Sequence, residues 1–355
     1  MTQDLQLLAM LVHRGLVDES SARAAMQSSD PGGWLVQHRC CTQAQWDEWR
    51  GTAGGTRPQL ARYDVKELLG EGGTARVFRA IDKTDGSIVA LKVLRAELGK
   101  DRVQVEGFVK EAKLLMDLQH PHIVRGLRVA REGETFYFAM EELPGECLQD
   151  RLREHGRLDE EDALEITAEI ASALVALHAR GLVHRDVKPG NVIWSVDRGA
   201  VLIDLGFAVQ GNEAQTRSDT TAGTVHYIAP EQARGSGELD VRADIYALGA
   251  TLYHLVTGSL PFEGRDSEDV LRRQVLESLS GERFRALALS PQVHYFIEKM
   301  MAKEREIRFQ DPTQLEKDIR AWLEAKRLQR EHEEQEGRPK PRLAGGSLRR
   351  RRRRN

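Results

Sequence analysis

The sequence has only three cysteines, and two of them, Cys40 and Cys41, are adjacent. Adjacent Cα atoms lie closer together than an ordinary disulfide allows, so no disulfide framework is expected and a reducing compartment is. No run of 18 apolar residues occurs. The best stretch, Ala247 to Val256, is short and is interrupted by Gly249, Tyr253 and His254, so no transmembrane segment is expected. The first residues, MTQDLQLLAM, carry an acid at Asp4 and no basic region ahead of an apolar core. A secretory signal is therefore not expected, and a soluble, cytoplasmic protein is.

What is present is an ordinary globular composition, with 40% hydrophobic residues in a chain of 355. At roughly 150 residues per domain this suggests about two domains, with enough chain to bury a core without a metal or disulfide staple. The net charge of −3 is unevenly spread. Residues 338 to 355 hold nine basic groups (Arg338, Lys340, Arg342 and Arg349 to Arg354) and no acid, which leaves −12 on the other 337 residues. An acidic body with a basic tail invites polyanion or anionic-membrane contact through Arg349–Arg354, although a solvated charge run is the plainer alternative. The tail has no interleaved aromatics for base stacking, which argues against sequence-specific RNA reading.

Composition divides the chain into four parts. Residues 1–50 read as a small helical module, and 51–62, opening with GTAGGTRPQ, read as a linker. Residues 63–326 mix strand and helix patterns; residues 327–355 are a charged helix end and a disordered Arg-rich tail. Within the module, LVHRGLVDESSARAAM (11–26) and LVQHRCCTQAQWDEWR (35–50) share a Leu-Val, a His-Arg and a capping-type residue, Asp18 or Thr42. Matching the shared letters requires a gap. The segment is either a partner-docking module or a helical extension of the main domain.

The third part opens with three strand-like pieces, 63–70, 75–82 and 87–94. A helical stretch follows with Phe108, Glu111, Ala112, Leu115 and Leu118 at helical spacing, and then a strand within 134–143. After Pro144-Gly145 the pattern becomes mainly helical, with a long helix over 163–181 ending at Gly181 as a C-cap. A sheet-rich smaller lobe followed by a larger helical one is the expected α+β architecture.

Candidate chemistry lies in four places. Gly70-Glu71-Gly72-Gly73 forms a glycine turn between two strands; such a turn either cradles phosphate on its backbone N–H groups or is simply a hairpin. A strand, not a helix, follows it, so it is not a dinucleotide-binding fingerprint. Lys92 ends VALK in an apolar strand, where its charge needs a partner; Glu111 is the candidate. HRDVKPGN places Asp186, Lys188 and Asn191 within six residues, and Asp204 emerges from an apolar strand thirteen residues later. Two carboxylates and an amide oxygen facing a glycine turn and a lysine suit a divalent ion on a triphosphate and the orientation of a hydroxyl.

With Ala229-Pro230-Glu231 and DIYALG around Asp244 added, the stretch 63–326 resembles the protein kinases, specifically the eukaryotic-like (Hanks-type) serine/threonine kinases of bacteria. The resemblance implies a two-lobed kinase fold with a small antiparallel-sheet N-lobe and a large helical C-lobe, using ATP and Mg²⁺ to phosphorylate protein Ser or Thr. It implies that Lys92 holds the α/β-phosphates and pairs with Glu111. Asp186 would orient the substrate hydroxyl, Lys188 would steady the transferring phosphoryl, and Asn191 and Asp204 would bind metal. Leu69, Gly70, Glu71, Gly72 and Gly73 would cover the nucleotide. Val77, Ala90 and Ile193 would sandwich adenine, with Met140 as gatekeeper and backbone groups of Glu141 and Leu143 as its hydrogen-bond partners. Thr224 would contact the catalytic Asp and Lys, Glu231 would pair with Arg308, and Asp244 would brace the catalytic loop. Two positions depart from the pattern: Ala75 replaces a third glycine, and Leu205 replaces the Phe of DFG. Neither removes a charge needed for chemistry.

The loop between Asp204 and Glu231 contains Thr216, Arg217, Ser218, Thr220 and Thr221. Because Arg185 precedes the catalytic Asp, autophosphorylation at Thr220 or Thr221, clamped by Arg185, is expected. Two rivals stand beside the active protein kinase: a silent nucleotide-binding scaffold, and a kinase of small molecules. The complete charged set disfavours the first, and the Ala-Pro-Glu segment with its hydroxyl-rich loop disfavours the second.

Overall fold

The computed structural model describes residues 7–8, 11–12, 15–28, 30–43, 45–46, 57–206, 209–210, 224–235, 239–279, 284 and 286–337. Among these, the residues up to Glu67 together with Ala80–Ser87 cluster as one compact unit. Leu68–Arg79 and the residues from Ile88 onward form another.

The first unit holds the N-terminal module, with α1 at Glu19–Ala25 and α2 at Pro31–Gln37. Each begins on an aspartate that satisfies an otherwise orphaned amide: Asp18 accepts from Ser21 N at 2.8 Å and Asp30 from Gly33 N at 3.0 Å. Leu7, Leu8, Leu11, Val17, Ala22, Ala25, Leu35, Cys41 and Trp46 form its own apolar core. The repeat needs no gap, because the same backbone hydrogen bonds recur at a constant offset of 24. Leu16 N and Gly15 N donate to Leu11 O and Val12 O; Cys40 N and Arg39 N donate to Leu35 O and Val36 O. That is the same helix-ending motif twice, with its left-handed residue at Gly15 (φ 65°) and at Arg39 (φ 57°). The buried pair Val17 and Cys41 and the capping pair Asp18 and Thr42 follow in step. Thr42 and Gln45 form a reciprocal box: the Thr42 hydroxyl accepts from Gln45 N at 3.2 Å, and Gln45 Oε1 accepts from Thr42 N at 2.8 Å.

Five strands build one sheet: β1 Tyr63–Glu71, β2 Ala75–Asp82, β3 Ile88–Leu94, β4 Gly126–Glu132 and β5 Thr135–Glu141, ordered β1-β2-β3-β5-β4. Both β3 and β4 pair antiparallel with β5, in a register that sets Ala90 against Met140 and Lys92 against Phe138. Between β3 and β4 runs α3, Arg102–Asp117, started by the Asp101 carboxylate on Val103 N and Gln104 N. It buries Phe108, Glu111, Ala112 and Leu115 as its periodicity predicts. Leu118 is also buried, but as the extended residue that closes the helix.

The chain then turns helical. β6 (Gly145–Cys147) leads into α4 (Leu148–His155) and α5 (Glu160–His178), followed by β7 (Leu182–Val183). α5 stops at His178, three residues before the predicted end. Arg180 N and Gly181 N close the last turn on Leu177 O and His178 O, and Gly181 takes the positive φ of 70° beyond it. The hairpin β8 (Val192–Ser195) and β9 (Gly199–Leu202) joins β6 in a three-stranded sheet, and β10 (Val209–Gln210) pairs with β7. Helices α6 (Pro230–Arg234), α7 (Val241–Thr257), α8 (Ser267–Leu276), α9 (Pro291–Met300) and α10 (Pro312–Gly337) complete the lobe. Seen in the core, α7 is apolar on nearly every face, as a helix enclosed by others must be. α10 lies against α5 and runs on through the charged stretch to Gly337, with Arg320 reaching Glu165 and Arg330 reaching Glu161. This is a two-lobed α+β fold, a sheet-rich smaller lobe followed by a helical larger one.

Candidate active site

Within the second unit, β3 and α3 bring Lys92 and Glu111 together, with Nζ and Oε1 2.6 Å apart; Asp204 Oδ1 lies 3.4 Å from the same Nζ. The neighbours of Lys92 on β3 are buried, so its stem is packed and its ammonium emerges between two carboxylates. Burial alone would discharge Lys92, but Asp204 and Glu111 more than offset it and hold its pKa above the usual lysine range. Asp204 is also desolvated, yet Lys92 and the Gly206 N–H keep it well below the ordinary carboxylate value. Glu111 bears the cost of this arrangement: burial, and then the Asp204 charge, push its pKa up to about 7.

The catalytic-loop candidates converge on Asp186. Its Oδ2 accepts from Lys188 Nζ and from Asn191 Nδ2, each at 2.8 Å, while Asn191 Nδ2 also donates to the Asp186 carbonyl at 2.8 Å. The other oxygen, Oδ1, is buried and has no hydrogen-bond partner among the described residues. A buried acceptor left open carries a desolvation cost of about 1–3 kcal/mol, and it is where a hydroxyl donor fits. Asn191 spends its amide nitrogen on Asp186, which leaves the side-chain oxygen as the atom to offer a cation.

One support, the His184 ring, was not visible as such in the motif; a second, Asp244, was expected as the brace of the catalytic loop. His184 accepts from Asp186 N at Nδ1 (3.1 Å) and donates from Nε2 to the Asp204 carbonyl (2.7 Å), so one ring ties the two carboxylate positions together. Arg185 sits at φ 70°, a costly conformation for a long side chain. Asp244, fully buried on α7, accepts from His184 N and Arg185 N at 2.7 Å each and fixes that turn. Burial raises the Asp244 pKa. The expected pair Glu231–Arg308 is present and bidentate, at 2.7 and 2.9 Å.

The residues expected around the nucleotide lie on β1 and the glycine turn, β2, β3, the end of β5 and the segment after it, and β8. Gly72 N donates to Ala75 O at 2.8 Å, closing the glycine turn. An added Cβ at Gly70 or Gly73 would meet nothing within 4 Å, so no neighbouring side chain or backbone crowds the turn there. Glu71 turns its carboxylate to Arg95 (2.8 Å) and Arg76 (3.1 Å), which leaves only its backbone for a ligand. Ala75 packs its methyl into the main core, and Leu205 lies in the same core with Ala112 and Leu115. Ala90 and Met140 are buried; Val77, Leu143 and Ile193 are half-buried, and Leu69 is exposed. Glu141 N already donates to the Arg125 carbonyl at 3.0 Å, so its N–H is not the group available to adenine.

Thr224 opens a short 3₁₀ turn, Thr224–His226. The Gln274 amide on α8 donates to His226 O at 2.7 Å and to Val225 O at 3.4 Å, and Gln274 Oε1 accepts from Tyr246 Oη at 2.6 Å. Lys303 Nζ completes this buried relay on Tyr246 Oη and on the Gln274 carbonyl. Thr216, Arg217, Ser218, Thr220, Thr221 and the tail with Arg349–Arg354 lie outside the described residues. A surface groove of about 510 Å³ between α5 and α10 is lined by charged residues and contains none of the motif side chains.

A protein kinase domain model matches residues 63–318. Among curated proteins, the chain is 34% identical over 264 residues to a probable serine/threonine-protein kinase PknB of Lactococcus lactis, covering 73% of this chain and 41% of that one. It is 33% identical over 269 residues to the serine/threonine-protein kinase PrkC of Bacillus subtilis (75% and 41%), and 34% over 271 to PknB of Mycobacterium leprae (74% and 43%). The chain belongs to the protein kinase family, in its bacterial Hanks-type serine/threonine branch. It spans about two fifths of the length of these relatives. The family uses ATP and a divalent metal. Among the described residues, no helix is long and apolar enough to cross a membrane.

Proposed function

We propose that this chain transfers the γ-phosphoryl group of ATP, with Mg²⁺, to Ser or Thr hydroxyls of proteins, including its own loop between Asp204 and Glu231. The observation that carries this reading is Asp186: one carboxylate oxygen is held by Lys188 and Asn191, while the other is buried and open among the described residues. In that role Oδ1 accepts and orients the substrate hydroxyl proton. Lys188, already 2.8 Å from Asp186, presents its charge where the transferring phosphoryl must pass. Lys92, fixed by Glu111, holds the α/β-phosphates, and the uncrowded glycine turn covers them. Asn191 and Asp204 offer oxygens suited to a hard cation, which when bound supplies charge neutralisation on the phosphates. The Glu141 carbonyl and the Leu143 backbone take adenine between Val77, Ala90 and Ile193.

Arg185 is proposed to receive a phosphate on Thr220 or Thr221 and so order the loop. Residues 1–50 are proposed as a partner-docking module joined by a 51–62 linker to the kinase domain, 63–326. Within 327–355, the basic tail is proposed to contact polyanions. A cytoplasmic location is proposed from the free Cys40, Cys41 and Cys147. The test is intact mass after incubation with Mg²⁺ and ATP, beside Asp186→Asn. Mass gains in steps of one phosphate in the wild type alone support the kinase; no gain, with ADP still bound, points to a silent nucleotide-binding scaffold. Peptide mapping that finds phosphate only outside the 205–230 loop would remove the Arg185 clamp.

A further inference from the structure

Three residues separate β8 from β9, and the last of them, Arg198, reaches out of the larger lobe to the end of β5. Its Nη1 donates to Glu141 Oε1 at 2.6 Å; Nε and Nη2 donate to the Pro121 carbonyl at 3.1 and 2.6 Å, and Nη2 lies 3.4 Å from Ile123 O. Glu141 is thereby held at three points, because Arg125 N also donates to its Oε1 at 2.9 Å and its own N–H donates to Arg125 O. The hairpin behind Arg198 is itself stiff. Gly199 takes φ 71°, where an added Cβ would fall 2.1 Å from Glu169 Oε1, and Glu169 accepts from Ala200 N at 2.7 Å. At the base of the same hairpin Ile203 N donates to Asn191 O at 3.0 Å, between the two metal-ligand candidates Asn191 and Asp204.

One rigid hairpin thus carries the metal-side residues at its base, Ile193 on its first strand, and at its tip a guanidinium clamped on the residue whose carbonyl is offered to adenine. We propose that Arg198 is a positioning residue that sets the distance between the adenine end and the metal end of the nucleotide site. The inference rests on the nucleotide reading above. A planar fork spanning one carboxylate and two backbone carbonyls fixes geometry in a way a point charge does not, so Lys at this position retains only part of the effect.

The test uses the full chain and three readouts: ADP affinity by titration calorimetry, KM for ATP against KM for a peptide substrate, and the melting temperature. Arg198→Ala is expected to weaken ADP binding about tenfold and to raise the ATP KM in parallel, with kcat and the peptide KM nearly unchanged. Arg198→Lys is expected to fall between it and wild type, and it supplies the answer if the alanine variant does not fold. ADP affinity equal to wild type in either variant, with only a lower melting temperature, overturns the inference and leaves Arg198 a structural brace. A wild type that binds no ADP would overturn the nucleotide reading, and this inference with it.

Discussion

Removing Arg308 tests how much of the larger lobe hangs on one buried cation. All five of its N–H donors are used: Nε on Ala302 O (2.7 Å), Nη1 on Glu231 Oε1 and Arg242 O (2.7 and 2.9 Å), and Nη2 on Glu231 Oε2 and Lys303 O (2.9 and 3.2 Å). Its side chain is wholly inaccessible, and Glu231 is buried as well. Arg308→Met keeps most of the apolar volume but strands a buried carboxylate, at about 3–5 kcal/mol, and also orphans three carbonyls. The total should be at least about 5 kcal/mol. Glu231→Gln keeps one acceptor and leaves Arg308 its three carbonyl partners, so about 3 kcal/mol is expected. At roughly 2–4 °C per kcal/mol for a unit of this size, the melting temperature should fall by about 10–20 °C for Arg308→Met and about 6–12 °C for Glu231→Gln. Calorimetric melts of both variants decide the matter. An Arg308→Met protein melting within about 2 °C of wild type, or one more stable than Glu231→Gln, would refute the reasoning.

Two further perturbations follow from conformation and charge. Burial pushes the Glu169 pKa up to about 6 from an ordinary 4.5. The folded state thus holds this proton more tightly than the unfolded chain, and its contribution is full below pH 4.5 and is lost as pH rises through about 6. Glu169→Gln, which can still accept from Ala200 N, should erase about 1–2 kcal/mol of that fall; identical pH-stability curves for the two proteins would contradict it. Arg39 stands at φ 57°, where its counterpart in the first copy is Gly15, so Arg39→Gly should stabilise the N-terminal module by about 1 kcal/mol. Chemical denaturation followed through Trp34 and Trp46 would show the midpoint moving up, and a downward shift would mean that the strain is absent.

How far the site could be read from letters depended on how local each relationship was. Asp186, Lys188 and Asn191 fall within one loop, and their spacing was enough to bring them together. Lys92 with Glu111 needed only a strand followed by a helix, and the apolar run around Lys92 signalled that its charge would seek a partner. The Arg198–Glu141 clamp, the Gln274 relay and the His184 bond to the Asp204 carbonyl span 57, 48 and 20 residues, and no local pattern marks their ends. An arginine in a turn or a glutamine in a helix reads as surface until the fold brings carbonyls to it. The end of α5 shows the converse error: Gly181 was legible as a left-handed residue, but the tight closing turn ahead of it was not. In the module, matching His-Arg by letter misaligned the copies, because a glycine and an arginine do the same backbone work at positions 15 and 39.

That duplication has a consequence for how the module behaves as matter. Each copy, 11–26 or 35–50, is 16 residues long, too short to fold alone without a staple, and the apolar cluster draws Leu11, Val17 and Ala22 from one and Leu35, Cys41 and Trp46 from the other. Neither half has an interior of its own; the interior exists only between them. A large-to-small substitution at Leu11 or Leu35 therefore opens a cavity in an interior that both copies share, and its cost falls on both.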